Sequence, residues 1–262
     1  NALPHCALAV LSIGELERRG RTRNSNLRLK SSYLSASSMS KRKHIVIFSG
    51  AGISAESGIS TFRDNGGLWD KYDVKEVATP DAWRNNPTLV LQFYNERRKQ
   101  VIEASPNAAH KSLVDLEKKF DVTIITQNVD DLHERAGSKN VIHLHGEIRK
   151  SRSTYDPSLI YKIKGWELNP GDRCEQGSQL RPHIVWFGEM VPEMNRAQDV
   201  TATADILITV GTSLNVYPAA GLVHAAPKGS KLFVVDPNDV NVEELTNVVF
   251  YKEKAGVALP VI

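Results

Sequence analysis

Three short stretches carry side chains able to do chemistry if a fold brings them together. Gln127-Asn128-Val129-Asp130 offers an amide pair and a carboxylate, and His145-Gly146 offers an imidazole. Gly50-Ala51-Gly52 follows the apolar run Ile45-Val46-Ile47-Phe48 directly. Glycines there let a backbone turn tightly and approach a ligand, and a helix capped by Ser49 or Ser54 would point free amides at a pyrophosphate. A second small-residue turn, Gly211-Thr212-Ser213, can give amides and hydroxyls to phosphate, and Asp236-Pro237-Asn238 is a candidate to hold a ribose or adenine. Taken singly, each has a plain alternative. The glycine turn could be a bare strand-to-helix connection, His145 a hydrogen-bonded structural histidine, and Gln127-Asn128 a cap for the next helix. The glycines also depart from the usual dinucleotide fingerprint, because Gly58 follows Gly52 by six residues instead of three. Asp70 lies in the polar, aromatic segment Gly67–Tyr72, not at the end of a second strand where a ribose-binding acid belongs.

The elements that must position these groups are legible as short apolar runs alternating with helical patterns. Strands are expected at Ile45–Phe48, Val122–Thr126, Val141–Leu144, Ile184–Phe187, Ile206–Val210, Leu232–Val235 and Val248–Tyr251. Runs of this length suit strands covered on both faces, which predicts an α/β fold: a doubly wound, Rossmann-like, mostly parallel sheet with a smaller inserted lobe. Ligands in such folds sit at the carboxyl ends of strands, where the reactive stretches fall. Asp64–Trp83 reads as loop and Pro87–Ala104 as a helix with Leu89, Val90, Phe93 and Val101 inward. A second helix is expected from Ser105-Pro106, with serine as N-cap and proline at the first position, and a third over Asp131–Ala136, stopped by Gly137. Tyr94 and Arg97 share a neighbouring face of the first helix. Between Glu147 and Pro182 the pattern weakens, as expected of an excursion from the main sheet. The domain reading is a tail over residues 1–40 and a catalytic domain over 41–262, with the small lobe drawn from about 58–104 and 147–182.

Composition narrows the class. With 262 residues, 41% hydrophobic and 24% charged, the chain can bury a large core, and disorder is not expected. The net charge of +3 comes without any long basic block, so no nucleic-acid partner is expected, and no apolar run is long enough to span a membrane. Two cysteines, Cys6 and Cys174, make no disulfide framework and suit a reducing compartment. The Arg- and Ser-rich leader allows either a cytoplasmic protein with an upstream remnant before Met39 or a mitochondrial one with a transit peptide.

The combination is more specific than its parts. The glycine turn, Thr61-Phe62-Arg63-Asp64, Gln127-Asn128-Val129-Asp130, Leu144-His145-Gly146, Trp186-Phe187-Gly188-Glu189 and Gly211-Thr212-Ser213 occur in this order along one α/β chain. Over about residues 40–260 it resembles the sirtuins, NAD-dependent protein-lysine deacylases. The resemblance implies that Gly50, Ala51, Gly52, Ala55, Thr61, Phe62 and Arg63 hold the pyrophosphate and the nicotinamide end. It implies that Gln127, Asn128 and Asp130 place the nicotinamide and its ribose, and that Gly211, Thr212 and Ser213 meet the far phosphate and adenosine. Asp236 and Asn238 then face a ribose, with Asp236 where an asparagine is usual, and Ala255 meets the adenine. His145 would be the general base, a task that an imidazole pKa near 6.5 suits at neutral pH, working with Asn128 and Asp130. Preorganised dipoles and Phe62 would stabilise the charged sugar and keep water out.

The partners implied are acylated-lysine proteins or peptides, paired through their backbone along Val185-Trp186-Phe187, with Phe187 and Gly188 also facing the peptide. The pair Tyr94 and Arg97 resembles the branch that removes succinyl and malonyl groups, since a guanidinium fork suits an acyl carboxylate; the plain reading is a solvated face continued by Arg98 and Lys99. The other readings are a plain deacetylase, an ADP-ribosyltransferase or NAD hydrolase, and a non-catalytic NAD or acyl-lysine binding module. A monomer is expected. Most relatives carry four zinc cysteines in the lobe, but here Ser153, Asp156, Cys174 and Gly177 stand at those places, so no metal is expected. The lobe would instead rest on packing of Tyr155, Ile160, Tyr161, Ile163 and Trp166. The family's terminal helix would run on past Leu259-Pro260-Val261-Ile262.

Overall fold

The computed structural model describes residues 41–61, 71–243 and 245–262. The reading of 1–40 as a tail and the roles given to Phe62 and Arg63 lie outside the described residues. Six parallel strands form the main sheet: β1 (His44–Ser49), β2 (Asp121–Thr126), β3 (Val141–His143), β7 (Ile206–Val210), β8 (Lys231–Val235) and β9 (Val248–Tyr251). Their order is β3-β2-β1-β7-β8-β9, so the chain winds outward from β1 in one direction and then from β7 in the other. The switch point between β1 and β7 is where an open sheet of this kind opens a crevice at its carboxyl edge.

Both faces of β1 are covered, and its side chains alternate between them. Ile45 and Ile47 pack with Ile53, Ala109, Leu113, Ile124 and Ala255 on one side. Val46 and Phe48 pack with Ile125, Leu144, Ala197 and Leu222 on the other. A three-stranded antiparallel sheet, order β5-β4-β6, forms the smaller lobe from β4 (Gly146–Ser153), β5 (Ile160–Lys162) and β6 (Leu180–Ile184).

Several expectations need correction. The run Ile184–Phe187 is not a strand of the main sheet. The strand there is Leu180–Ile184 in the small sheet, and Val185-Trp186-Phe187 runs into a turn because the Glu189 carboxylate accepts the Trp186 amide (2.8 Å) while Glu189 N donates to the Trp186 carbonyl (3.0 Å). The second half of the supposed loop before Trp83 holds two short helices, α2 (Val74–Val77) and α3 (Pro80–Asn85), capped by the Asp73 and Thr79 side chains. Helix α4 spans Pro87–Glu103 with Asn86 as its cap. Helix α5 (Ala108–Leu116) begins at Asn107, not Ser105: the Asn107 side-chain oxygen accepts from Ala109 N (2.9 Å), and its amide donates to the Ile53 carbonyl (2.8 Å). Helix α6 (Leu132–Ala136) ends where Gly137 turns left-handed, with φ of 113°.

Candidate active site at the switch point

Interlocked glycines set the geometry. Gly50 N donates to the Val210 carbonyl (3.0 Å) and Gly52 N to the Gly211 carbonyl (2.9 Å), which fastens the turn after β1 to the turn after β7. A Cβ on Gly211, whose φ is 62°, would lie 2.3 Å from the Ile53 nitrogen, and one on Gly50 would lie 2.7 Å from the Gly211 oxygen. The glycines are therefore demanded by backbone meeting backbone. The amides of Gly50 and Gly52 are thus both bonded within the protein. Neither Ser49 nor Ser54 caps the short helix α1 (Gly52–Ala55): Ser49 Oγ donates to Thr126 Oγ1 (2.9 Å) and Ser54 Oγ to Asp130 Oδ2 (3.0 Å).

The end of β2 closes the third side. Gln127 N donates to the Ser49 carbonyl (2.9 Å), and its side-chain amide donates to Thr212 Oγ1 (3.0 Å). Asn128 Nδ2 donates to Ser54 Oγ (3.1 Å), so Asn128, Ser54 and Asp130 form one chain of polar groups. Burial pushes the Asp130 carboxyl up, opposed by its bonds from Leu132 N and Ser54 and by the nearby His143. His145 Nδ1 donates to the Gln127 carbonyl (3.1 Å), which fixes the tautomer with its lone pair on Nε2. Burial lowers the His145 pKa, with the Gln127 bond opposing, so the ring is neutral at neutral pH and able to accept a proton.

The structure thus brings Gly50, Ala51, Gly52, Gln127, Asn128, Asp130, His145, Gly211, Thr212 and Ser213 to one edge. Thr61 lies on the segment leaving α1, and Ala55 is exposed at the end of that helix. Asp236 and Asn238 lie one strand further out, after β8, where Asp236 Oδ1 accepts both the Asn238 amide (2.9 Å) and its side chain (3.2 Å). Ala255 is 4% exposed and packs in the core.

On α4 the Tyr94 side chain is buried, and its hydroxyl accepts from Trp186 Nε1 (3.1 Å), leaving the O–H to donate. Burial pushes its pKa up to about 12. Burial lowers the pKa of the neighbouring Arg97 guanidinium, with the Asp130 carboxylate opposing, and the guanidinium lies 5.7 Å from the Phe93 ring centroid. Arg98 is not solvated: it is 0% exposed and donates to the carbonyls of Ile148 (2.6 Å) and Trp166 (2.7 Å) and to Asn95 Oδ1 (2.7 Å).

The stretch assigned to peptide pairing is also changed. The amides of Val185, Trp186 and Phe187 donate to the His145 carbonyl (2.9 Å), the Glu189 carboxylate (2.8 Å) and the Ala78 carbonyl (3.0 Å), so it offers carbonyls. Gly188 turns left-handed, with φ of 88°, beside the half-exposed Phe187. Ser54 was read as a cap and Glu189 only as part of a motif, and two residues escaped the sequence reading altogether: His143 and Arg181. The last stacks 3.3 Å from the Trp186 ring centroid while its Nη1 donates to Glu189 (2.7 Å). Only His143 had a readable signal, since a residue two before His145 shares its face.

At two of the places where the resemblance would put zinc cysteines, Ser153 Oγ lies 2.7 Å from Ser178 Oγ and Cys174 Sγ lies 3.1 Å from the same hydroxyl. One thiol among hydroxyls does not fit a structural zinc, which takes four Cys or His donors. The packing expected of the lobe is corrected too: Tyr155 is 82% exposed, and Ile160 and Trp166 are exposed as well.

A family model described as the Sir2 family matches residues 50–218. The chain is 55% identical over 204 residues to an NAD-dependent protein deacylase of Bacteroides thetaiotaomicron, covering 76% of this chain and 87% of the relative. It is 54% identical over 215 residues to an NAD-dependent protein deacylase of Helicobacter pylori, strain J99, covering 81% and 91%. Among solved structures it is similar to a Sir2 homologue–NAD complex, with TM-score 0.77 and 40% identity over 84% of this chain and 87% of that one. It is also similar to Sir2 bound to acetylated peptide, with TM-score 0.71 and 30% identity over 83% and 91%.

Proposed function

The chain belongs to the Sir2 family, and from that premise we propose that it removes acyl groups from protein lysine with NAD as co-substrate, releasing nicotinamide and O-acyl-ADP-ribose. The observation that carries this reading is the convergence of His145, Asn128 and Asp130 on the β1/β7 crevice, with the tautomer of His145 fixed by the Gln127 carbonyl. NAD supplies an activated sugar carbon whose bond to nicotinamide can be broken. The residues present fit it: Asp130 retains lone pairs beyond those taken by Ser54 and Leu132, which suits ribose hydroxyls. Asn128 is held by Ser54 and has its side-chain oxygen to offer, and His145 Nε2 can take the proton of a ribose hydroxyl. Replacing His145 with alanine should lower kcat at least a hundredfold with NAD still bound; an unchanged kcat would remove His145 from the mechanism.

The finer proposal is a preference for succinyl and malonyl lysine. Tyr94 has an O–H to donate, and Arg97, three residues on along the same helix, supplies a charge on a neighbouring face. A carboxylate between them gains charge-assisted bonds of about 1.5–3 kcal/mol, or roughly tenfold to a hundredfold in selectivity. Arg97→Met should therefore lower kcat/KM for a succinyl-lysine peptide by that factor while leaving an acetyl-lysine peptide little changed. Equal changes for both would leave a plain deacetylase.

A further inference from the structure

We propose that His143, paired with Glu134, is a positioning residue for this reaction: it holds the Asn128 carbonyl and thereby fixes the segment that presents both Asn128 and His145. The inference rests on the reading above of His145 as base and Asn128 as a substrate-facing amide.

Three consecutive carbonyls at the end of β2 are each tied to the end of β3. Thr126 O accepts from Leu144 N (2.9 Å), Gln127 O from His145 Nδ1 (3.1 Å) and Asn128 O from His143 Nδ1 (3.0 Å). His143 and His145, two apart, project from the same face, so their rings clamp neighbouring peptide units. The two rings differ at their other nitrogen. His145 Nε2 makes no hydrogen bond among the described residues, whereas His143 Nε2 lies 2.7 Å from Glu134 Oε1. Both partners of His143, a carbonyl and a carboxylate, only accept. The geometry therefore requires a proton on each ring nitrogen: an imidazolium facing a carboxylate, the ring side chain 9% exposed and the carboxylate 41%.

The surroundings agree. Burial opposes charge on both partners, yet their mutual bond and attraction raise the His143 pKa and lower that of Glu134. Glu147 adds to the field on His143, Lys150 to that on Glu134, and the His143 charge acts in turn on Asp130 and His133. When the ring loses one proton, the stronger bond to the carboxylate retains the proton on Nε2. Nδ1 then turns a lone pair toward the Asn128 carbonyl, and the clamp opens. Activity should consequently fall on the alkaline side, above the ordinary histidine pKa of 6.5.

The test compares the parent with His143→Leu, which has no donor, and His143→Asn, whose amide can replace Nδ1–H without titrating. With saturating NAD and an acyl-lysine peptide, His143→Leu should lower kcat about tenfold to a hundredfold, with peptide KM little changed. His143→Asn should recover most of that loss and lack the alkaline limb shown by the parent. Nitrogen-15 spectra of the parent should show His143 protonated on both nitrogens at neutral pH, a signature independent of turnover and of how well a variant folds. The inference is overturned by a singly protonated ring, by an active His143→Leu, or by equal losses in both variants. A parent without NAD-dependent acyl removal sinks the function reading itself, and with it the reaction this pair is proposed to serve.

Discussion

The two sheets of this protein are held by different physics. In the parallel sheet β1 is buried along nearly its whole length, and Val46, Ile47, Ile124 and Ile125 are 0% exposed. In the small sheet Ile148 and Ile184 are buried, but so are the polar groups of Ser151, Ser153 and Arg181, while Ile160 faces solvent. The lobe is tied to α4 by directional bonds: Asn95 donates to the Leu168 carbonyl (3.1 Å), accepts from Leu168 N (3.0 Å) and accepts from Arg98. Glu189, Arg181 and Trp186 make a similar knot beside the turn at Gly188. An apolar layer tolerates small rearrangement, whereas a buried polar knot fails when one member leaves its partners unpaired. On the proposed function, nucleotide chemistry would sit on the apolar, stiff half and acyl choice on the half that depends on exact pairing.

The largest expected effect breaks the stiff half at its seam. Gly211→Ala puts a Cβ at positive φ and against the Ile53 nitrogen. Backbone strain and overpacking together should cost about 3 kcal/mol or more, read as a lower Tm and lost NAD binding. Next, Asn95→Ala removes three bonds from the lobe knot and should cost about 2 kcal/mol. Limited proteolysis should then cut near Glu167–Pro170 before it cuts the parallel sheet; cleavage in the main sheet first would reverse the comparison.

Acid should act mainly on the stiff half. The buried rings of His110 and His133 meet edge to face with centroids 5.0 Å apart; burial lowers the first to about 4 and the second well below its ordinary value. The unfolded chain binds protons at these positions below about pH 6.5 that the folded one refuses, so stability is full above that pH and declines as pH falls toward about 4. His183 in the lobe, lowered by burial to about 4, adds a smaller contribution because it is only partly buried. Denaturant midpoints across that window check the sign. The smallest effect is at Cys174: replacement by serine should change stability by less than about 1 kcal/mol, and a strong chelator should leave Tm unmoved, because its partners are hydroxyls. A chelator-sensitive Tm would contradict the hydroxyl account.

This division also explains what could be read from residues alone. Apolar runs of four or five residues announce buried parallel strands, and β1, β2, β7, β8 and β9 follow them closely. Val185-Trp186-Phe187 was equally apolar, but a carboxylate two residues past Phe187 folds it into a turn, which periodicity does not register. Arg98 reads as solvated beside Lys99, and its burial depends on the carbonyls of Ile148 and Trp166, partners 50 and 68 residues away. Main-chain acceptors leave no mark in composition. The same holds for Gly50 and Gly52, whose type is visible but whose opposing surface, the Gly211 turn, is not.

The most direct test of the central claim is mass spectrometry of an acyl-lysine peptide incubated with the protein, with and without NAD. The account predicts NAD-dependent appearance of the free lysine peptide together with O-acyl-ADP-ribose. Free ADP-ribose with the peptide unchanged, or a peptide carrying ADP-ribose, would contradict it.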